Sequence, residues 1–169
     1  VSMICSGDAG VYGMAGLIYE ISERYPDVEI EIIPGVTAAI GGASVLGAPL
    51  IHDFCLISLS DLLTPWEKIE ARLLGASQAD FVICLYNPSS KKRHDYLQKA
   101  CDLMMQYKSP ETVCGTVCNI GREGEEYQVM TLKELRDRQV DMFTTVFIGN
   151  SQTKEINGKM VTPRGYRNV

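Results

Sequence analysis

Short apolar runs alternate along this chain with stretches of helical period, and that alternation admits few folds other than an α/β arrangement with parallel neighbouring strands. Val1 to Cys5 has the character of a buried strand. After the turn Ser6 to Gly10, the apolar residues Met14, Leu17, Ile18 and Ile21 recur at helical spacing until Pro26 ends the segment. Apolar and acidic residues alternate in Val28-Glu29-Ile30-Glu31-Ile32, which predicts a second strand stopping at Pro34-Gly35. Val36 to Leu46 is small and apolar enough for a tightly packed helix, and Phe54 to Leu59 reads as a third strand. Thr64-Pro65-Trp66-Glu67 then supplies an N-cap, a proline at the first helical position and a glutamate at the third, predicting a helix to about Leu74.

The loop from Gly75 to Asp80 marks an expected domain boundary, with residues 1–78 as the remainder of an N-terminal α/β domain and 79–169 as a C-terminal α/β domain. Beyond it come a strand at Phe81 to Leu85 and an amphipathic helix from about Lys91 to Tyr107. Strands follow at Thr112 to Cys118, Glu125 to Met130 and Phe143 to Ile148, with a short helix opened by the capping pair Thr131 and Glu134. Asn157-Gly158, between Ile156 and Met160, is the signature of a tight hairpin. The fold class expected is therefore α/β in two domains, with a mostly parallel sheet in the first half and a mixed sheet in the second. Because the chain opens directly on a strand without an initiator methionine, it reads as a fragment.

Composition narrows the function classes. No apolar run approaches the roughly 20 residues needed to span a bilayer, and the opening Val1-Ser2-Met3-Ile4 lacks the basic flank of a signal peptide. A net charge of −5 argues against a nucleic-acid surface, which needs clustered Lys and Arg. Most of the six cysteines sit inside apolar runs, as reduced buried thiols do, pointing to a cytoplasmic protein. Cys114 and Cys118, with only His52 and His94 to complete a set, predict no metal site. The basic cluster Lys91-Lys92-Arg93 is either a solvated first helical turn or a patch for an acidic ligand.

Ser6-Gly7-Asp8-Ala9-Gly10-Val11-Tyr12-Gly13 lies where a parallel strand hands over to a helix, the place where open α/β sheets bind ligands. Its glycines let a ligand approach the backbone, and Asp8 offers an anionic acceptor. Two residues separate Gly7 from Gly10 and Gly10 from Gly13, so the loop fits neither the dinucleotide fingerprint nor the phosphate loop, and a purely structural turn would also explain the glycines.

The whole stretch resembles the Ser-Gly-Asp loop of the tetrapyrrole (corrin/porphyrin) methylases. Pro34-Gly35-Val36-Thr37-Ala38-Ala39, followed by Leu46-Gly47-Ala48-Pro49-Leu50, is similar to that family's second block. Tyr86-Asn87-Pro88 and Asn119-Ile120-Gly121-Arg122 resemble its later loops. Within the family, His52-Asp53-Phe54 and the run from Ile57 to Trp66 look like the branch that methylates ring carbon C17 of precorrin-3B, with ring contraction, in cobalamin biosynthesis. Nothing here matches the strand and Gly/Pro-rich loop that open the family's sequences, so the resemblance implies an impaired methyltransferase.

The resemblance implies S-adenosyl-L-methionine as methyl donor and S-adenosyl-L-homocysteine as its product. It implies cofactor contacts at Gly7, Asp8, Ala9, Val11, Tyr12, Thr37, Ala38, Tyr86, Asn87, Asn119 and Ile120, drawn from both domains. A small-molecule tetrapyrrole bearing many carboxylates would be met by Lys91, Arg93 and Arg122, since guanidinium forks suit carboxylates. His52 and Asp61 are catalytic candidates for proton exchange, although a His at a loop can equally serve as a cap. A homodimer is expected from the resemblance and from the density of small and apolar residues between Ile33 and Leu50; neither nucleic acid nor membrane is an expected partner. The alternatives are a sibling methylase acting on another ring carbon or on a diphthamide precursor, and a non-catalytic nucleotide-binding module.

Overall fold

The apolar run Val82–Tyr86 forms a strand whose first four residues are fully buried, so it must lie in the middle of a sheet covered on both faces. The computed structural model describes residues 1–90 and 93–166, and they form two compact units, Val1–Gly41 and Gly42–Val169.

The first unit contains helix α1 (Ala15–Ser22) and two loops, Ser6–Gly13 and Pro34–Thr37. The strands expected at Val1 to Cys5 and at Val28 to Ile32 are not formed. A strand exists only when a second backbone completes its ladder, and neither segment has a ladder partner among the described residues. Their apolar side chains stand open, Ile4 at 95% and Val28 at 59% exposure. Helix α2 (Ala38–Leu46) starts in this unit and continues into the next.

In the second unit β2 (Phe54–Ser58) runs parallel to β3 (Val82–Tyr86), in register from Phe54 opposite Val82 to Ser58 opposite Tyr86. Strand β6 (Thr144–Ile148) lies antiparallel between β3 and β4 (Val113–Cys118), and β5 (Glu126–Thr131) closes the far edge, giving the order β2-β3-β6-β4-β5. A three-stranded sheet joins β1 (Gly47–Ala48), β8 (Lys159–Val161) and β7 (Lys154–Ile156). The α/β class with a mixed second-half sheet therefore holds. The boundary expected near residue 78 lies inside this unit, between the paired strands β2 and β3.

Three helices, α3 (Trp66–Gln78), α4 (Tyr96–Met104) and α5 (Leu132–Arg136), contribute Ile69, Leu73, Leu97, Met104, Leu132 and Leu135 to one core with Ile83 and Leu85. Each such fully buried aliphatic side chain is worth about 1.5–3 kcal/mol. On the opposite face α2 presses close: a Cβ on Gly115 would lie 2.7 Å from the Leu46 side chain, and one on Gly42 would lie 2.9 Å from the Phe147 ring. Glycine is therefore required where the helix crosses the sheet.

Two caps differ from expectation. Pro65, with ψ of 145°, is the N-cap of α3 and makes no side-chain cap, so the helix starts at Trp66. Helix α4 begins at Tyr96 rather than near residue 91, with Asp95 as its N-cap. The capping box forms as expected, Glu134 N–H donating to Thr131 Oγ1 at 3.2 Å and Thr131 N–H to Glu134 Oε2 at 2.8 Å. The Asn157-Gly158 hairpin also forms, with φ of 52° and 75° at the two turn residues.

Lys108 ties the start of β3 to the end of β6. Its side chain is 2% exposed, and the ammonium donates to the carbonyls of Phe81 and Gly149, each at 2.9 Å, with Asp80 3.6 Å away. Asp80 in turn accepts from Ser151 N–H at 2.9 Å and Ser151 Oγ at 2.6 Å.

Candidate functional site

The first unit brings two glycine-containing loops together around one carboxylate. Asp8 Oδ1 accepts from Gly10 N–H and Oδ2 from Gly35 N–H, both at 2.8 Å. The Gly35 N–H, then that of Gly10, hold the Asp8 carboxyl below its ordinary range, because both bonds favour the charged form. A Cβ at Gly35 would collide with the Gly7 carbonyl, and one on Gly7 would lie 3.7 Å from Thr37 Cα. The approach that places Thr37 beside Gly7 thus depends on glycine at position 35. Gly7 and Tyr12 both adopt positive φ, 77° and 53°, which folds the segment back on itself. Ala9 and Val11 lie in this turn, with Val11 N–H donating to the Asp8 carbonyl at 3.3 Å. Thr37 is buried and Ala38 opens α2. Seven of the residues expected to contact a cofactor, Gly7, Asp8, Ala9, Val11, Tyr12, Thr37 and Ala38, therefore lie on these loops and the helix start. Asp8 is more than a candidate ligand contact: it is the clasp between the loops.

In the second unit the remaining candidates sit just beyond strand ends. Tyr86 ends β3, its carbonyl accepting from Leu59 N–H at 2.9 Å. Asn87 takes φ of 53° and donates through Nδ2 to Ser58 Oγ at 3.0 Å. Asn119, with φ of 52°, follows β4 and donates to the Gly124 carbonyl at 3.3 Å. Asparagine tolerates this left-handed conformation, which turns the chain sharply away from the sheet. The Ile120 side chain lies 3.0 Å from where a Gly42 Cβ would be. Arg122 stacks over the Phe143 ring at 5.9 Å.

A cavity of 880 Å³ in this unit is lined by Asp61, Leu62, Ser89, Ser90, Arg93, Tyr96 and Val140 to Met142. Arg93 Nη1 donates to Ser60 Oγ at 2.7 Å and to Asp61 Oδ1 at 3.3 Å, while Nε donates to Ser90 Oγ at 3.1 Å. Tyr96 Oη donates to Asp61 Oδ2 at 2.6 Å. The Tyr96 hydroxyl, then Arg93, keep the Asp61 carboxyl below its ordinary range despite some desolvation. Two expected residues, Asp61 and Arg93, are thus in direct contact. Tyr96 was missed in the sequence. Its spacing of three from Arg93 was the available signal, but which face it shares with Asp61 depends on tertiary packing.

His52 takes no part in that network. Its Nδ1 accepts from Asp53 N–H at 2.9 Å and lies 3.6 Å from the Asp53 carboxylate, as a local loop cap does. Lys91 lies outside the described residues. Among those described, no group of three or more His, Cys, Asp or Glu side chains is placed to hold a metal ion. No described helix is long and apolar enough to cross a membrane.

Comparison with known proteins gives a consistent picture. Residues 1–136 match the model of the tetrapyrrole (corrin/porphyrin) methylases. The chain is 53% identical, over 98% of its length, to a probable cobalt-factor III C(17)-methyltransferase of Salmonella typhimurium, and covers 69% of that protein. It is 48% identical to the cobalt-factor III methyltransferase of Priestia megaterium, covering 99% of this chain but only 32% of that one. Among solved structures, the methyltransferase CobJ matches with a TM-score of 0.86 and 36% identity, over 94% of this chain and 68% of that one. The chain thus spans between about a third and just over two thirds of these relatives.

Proposed function

Because the chain belongs to the tetrapyrrole (corrin/porphyrin) methylases, we propose that it transfers a methyl group from S-adenosyl-L-methionine to ring carbon C17 of a tetrapyrrole in cobalamin biosynthesis. The substrate is precorrin-3B or its cobalt form, cobalt-factor III, and ring contraction accompanies the transfer. The observation that carries this reading is the 53% identity, sustained over 98% of the chain, with a probable cobalt-factor III C(17)-methyltransferase.

The loop pair fits the cofactor. Glycines leave its backbone open, an ionised carboxylate stands at its centre, and Thr37 and Ala38 begin a helix beside it. When bound, the sulfonium supplies an already activated methyl group, and S-adenosyl-L-homocysteine remains. The chain's task is consequently alignment rather than generation of a strong nucleophile, and alignment is worth roughly 7–11 kcal/mol in favourable cases. Asp8 holds the loops Gly7–Gly13 and Pro34–Thr37 in register for the cofactor. Arg93 and Arg122, with Lys91 two positions before Arg93 in sequence, bind the acidic substrate. Of the two catalytic candidates, His52 is left to handle a proton, since both oxygens of Asp61 already accept from Arg93 and Tyr96.

Calorimetric titration with S-adenosyl-L-homocysteine tests the cofactor site. Asp8→Ala should weaken binding at least tenfold, since loss of the clasp frees both loops. Unchanged affinity would remove Asp8 from the site.

A further inference from the structure

The side chain of Arg93 is only 15% exposed, yet only two of its three guanidinium nitrogens are engaged. Nε and Nη1 bond to Ser90, Ser60 and Asp61, and Nη2 has no partner among the described residues, in a side chain that lines the 880 Å³ cavity. Orientation of the planar fork therefore rests on those two anchored nitrogens. Asp61 can serve as an anchor only if its own carboxylate is fixed, and the Tyr96 hydroxyl fixes it from the other oxygen at 2.6 Å. Tyr96 is itself held, its ring packing against Trp66 with centroids 4.6 Å apart and planes tilted by 55°. The chain of contacts thus runs from the first turn of α3 through the first turn of α4 to the loop after β2 and ends on Arg93.

From this geometry we infer that Tyr96 and Asp61 are positioning residues, which fix Arg93 so that its remaining nitrogen, Nη2, holds a carboxylate arm of the tetrapyrrole in the cavity. The inference rests on the proposed function and adds to it a role for Tyr96 and a different role for Asp61. Both oxygens of Asp61 are committed to donors, and a carboxylate kept ionised in this way is a poor acceptor for a further proton. Asp141 also lines the cavity, its Oδ1 accepting from Phe143 N–H and Thr144 Oγ1, both at 2.9 Å, and among the described lining residues Arg93 is the one cation. Leu62 and Met142 supply apolar surface on the same cavity, suited to the flat body from which such an arm would extend. Partly exposed ion pairs add little to folding stability, so the network's consequence belongs to binding.

The test is steady-state kinetics with S-adenosyl-L-methionine and cobalt-factor III. Tyr96→Phe, which keeps the ring against Trp66, and Asp61→Asn should each raise KM for the tetrapyrrole about tenfold, the effect of losing one charge-assisted contact. In both variants kcat and S-adenosyl-L-homocysteine affinity should stay within about twofold, and the Trp66 fluorescence melt should match the unsubstituted chain. On an Arg93→Ala background, Tyr96→Phe should add nothing, because its effect is transmitted through Arg93. A fall in kcat at constant KM would instead give Asp61 or Tyr96 a part in proton transfer and overturn the inference. So would additive losses in the double variant, or an unchanged KM. If the unsubstituted chain transfers no methyl group to the tetrapyrrole, the proposed function fails and this inference falls with it. Normal turnover with unaffected variants would remove the positioning role alone.

Discussion

A single methyl group at position 35 should separate cofactor binding from folding. In Gly35→Ala the new Cβ meets the Gly7 carbonyl, a rigid backbone atom, so the loop Pro34–Thr37 must retreat rather than a side chain rotate. Reaching ordinary van der Waals separation demands a shift of roughly 1 Å. That shift breaks the 2.8 Å bond from Gly35 N–H to Asp8 and moves Thr37 and Ala38 away from the Ser6–Gly13 turn. Misplacement of about 1 Å costs roughly a hundredfold in rate where alignment dominates catalysis. Calorimetry with S-adenosyl-L-homocysteine should show affinity reduced at least tenfold, and methyl transfer should fall about a hundredfold. Two substitutions serve as controls. A Cβ on Gly16 in α1 meets nothing within 4 Å, so Gly16→Ala should leave binding intact and add about 0.5–1 kcal/mol of helix stability. Gly10→Ala places its Cβ 3.3 Å from Asp8 Oδ1, a contact that a carboxylate can relieve by a small rotation, so an intermediate loss is expected. Native affinity in Gly35→Ala, or an equal loss in Gly16→Ala, would refute the claim that the apposed loops make the site.

The Asp8 clasp also predicts a pH dependence. With its folded-state pKa below 3.8, Asp8 contributes stability that is complete well above that value and is lost as pH falls through the folded-state pKa. Acid titration of S-adenosyl-L-homocysteine affinity should therefore show a component below about pH 4 that is missing in Asp8→Asn. In Lys108→Met the Phe81 and Gly149 carbonyls lose their buried donor, at a cost of about 3 kcal/mol, readable in urea by the fluorescence of Trp66. Burial outweighs Asp80 in setting the Lys108 pKa, which lies below 10.5; the unfolded chain holds that proton more tightly, and the stability gap to Lys108→Met should widen as pH approaches 10.5. The homodimer expected from the sequence should show in light scattering as twice the chain mass, and a monomer across the micromolar range would overturn that expectation.

What the sequence made legible was local. The buried run of β3, the Thr131 capping box and the Asn157-Gly158 hairpin each depend on residues within a few positions of one another, and each formed. Chemistry assembled across distance was hidden. The bond from Gly35 to Asp8 spans 27 positions and that from Tyr96 to Asp61 spans 35, so Asp8 read as a free acceptor and Tyr96 as an ordinary helix residue. Asp61 and Arg93 were singled out separately, while their ion pair needed the loop after β2 to meet the start of α4. Alternation at Val28 to Ile32 predicted a strand but could not supply a partner, and among the described residues none pairs with it. The first turn of α4 shows the same limit, since amphipathic spacing continues into residues that the helix does not include.

The most direct measurement follows the methyl group itself. The chain, in excess over cobalt-factor III, is incubated with S-adenosyl-L-methionine carrying a carbon-13 methyl, and the product is analysed by mass spectrometry and carbon NMR. Excess enzyme lets even a slow catalyst register a single turnover. The account predicts one labelled methyl per macrocycle, located at C17, with an equal amount of S-adenosyl-L-homocysteine released. Label on a different ring carbon would contradict the assigned position, and label remaining wholly on the donor while both ligands are bound would contradict methyl transfer itself.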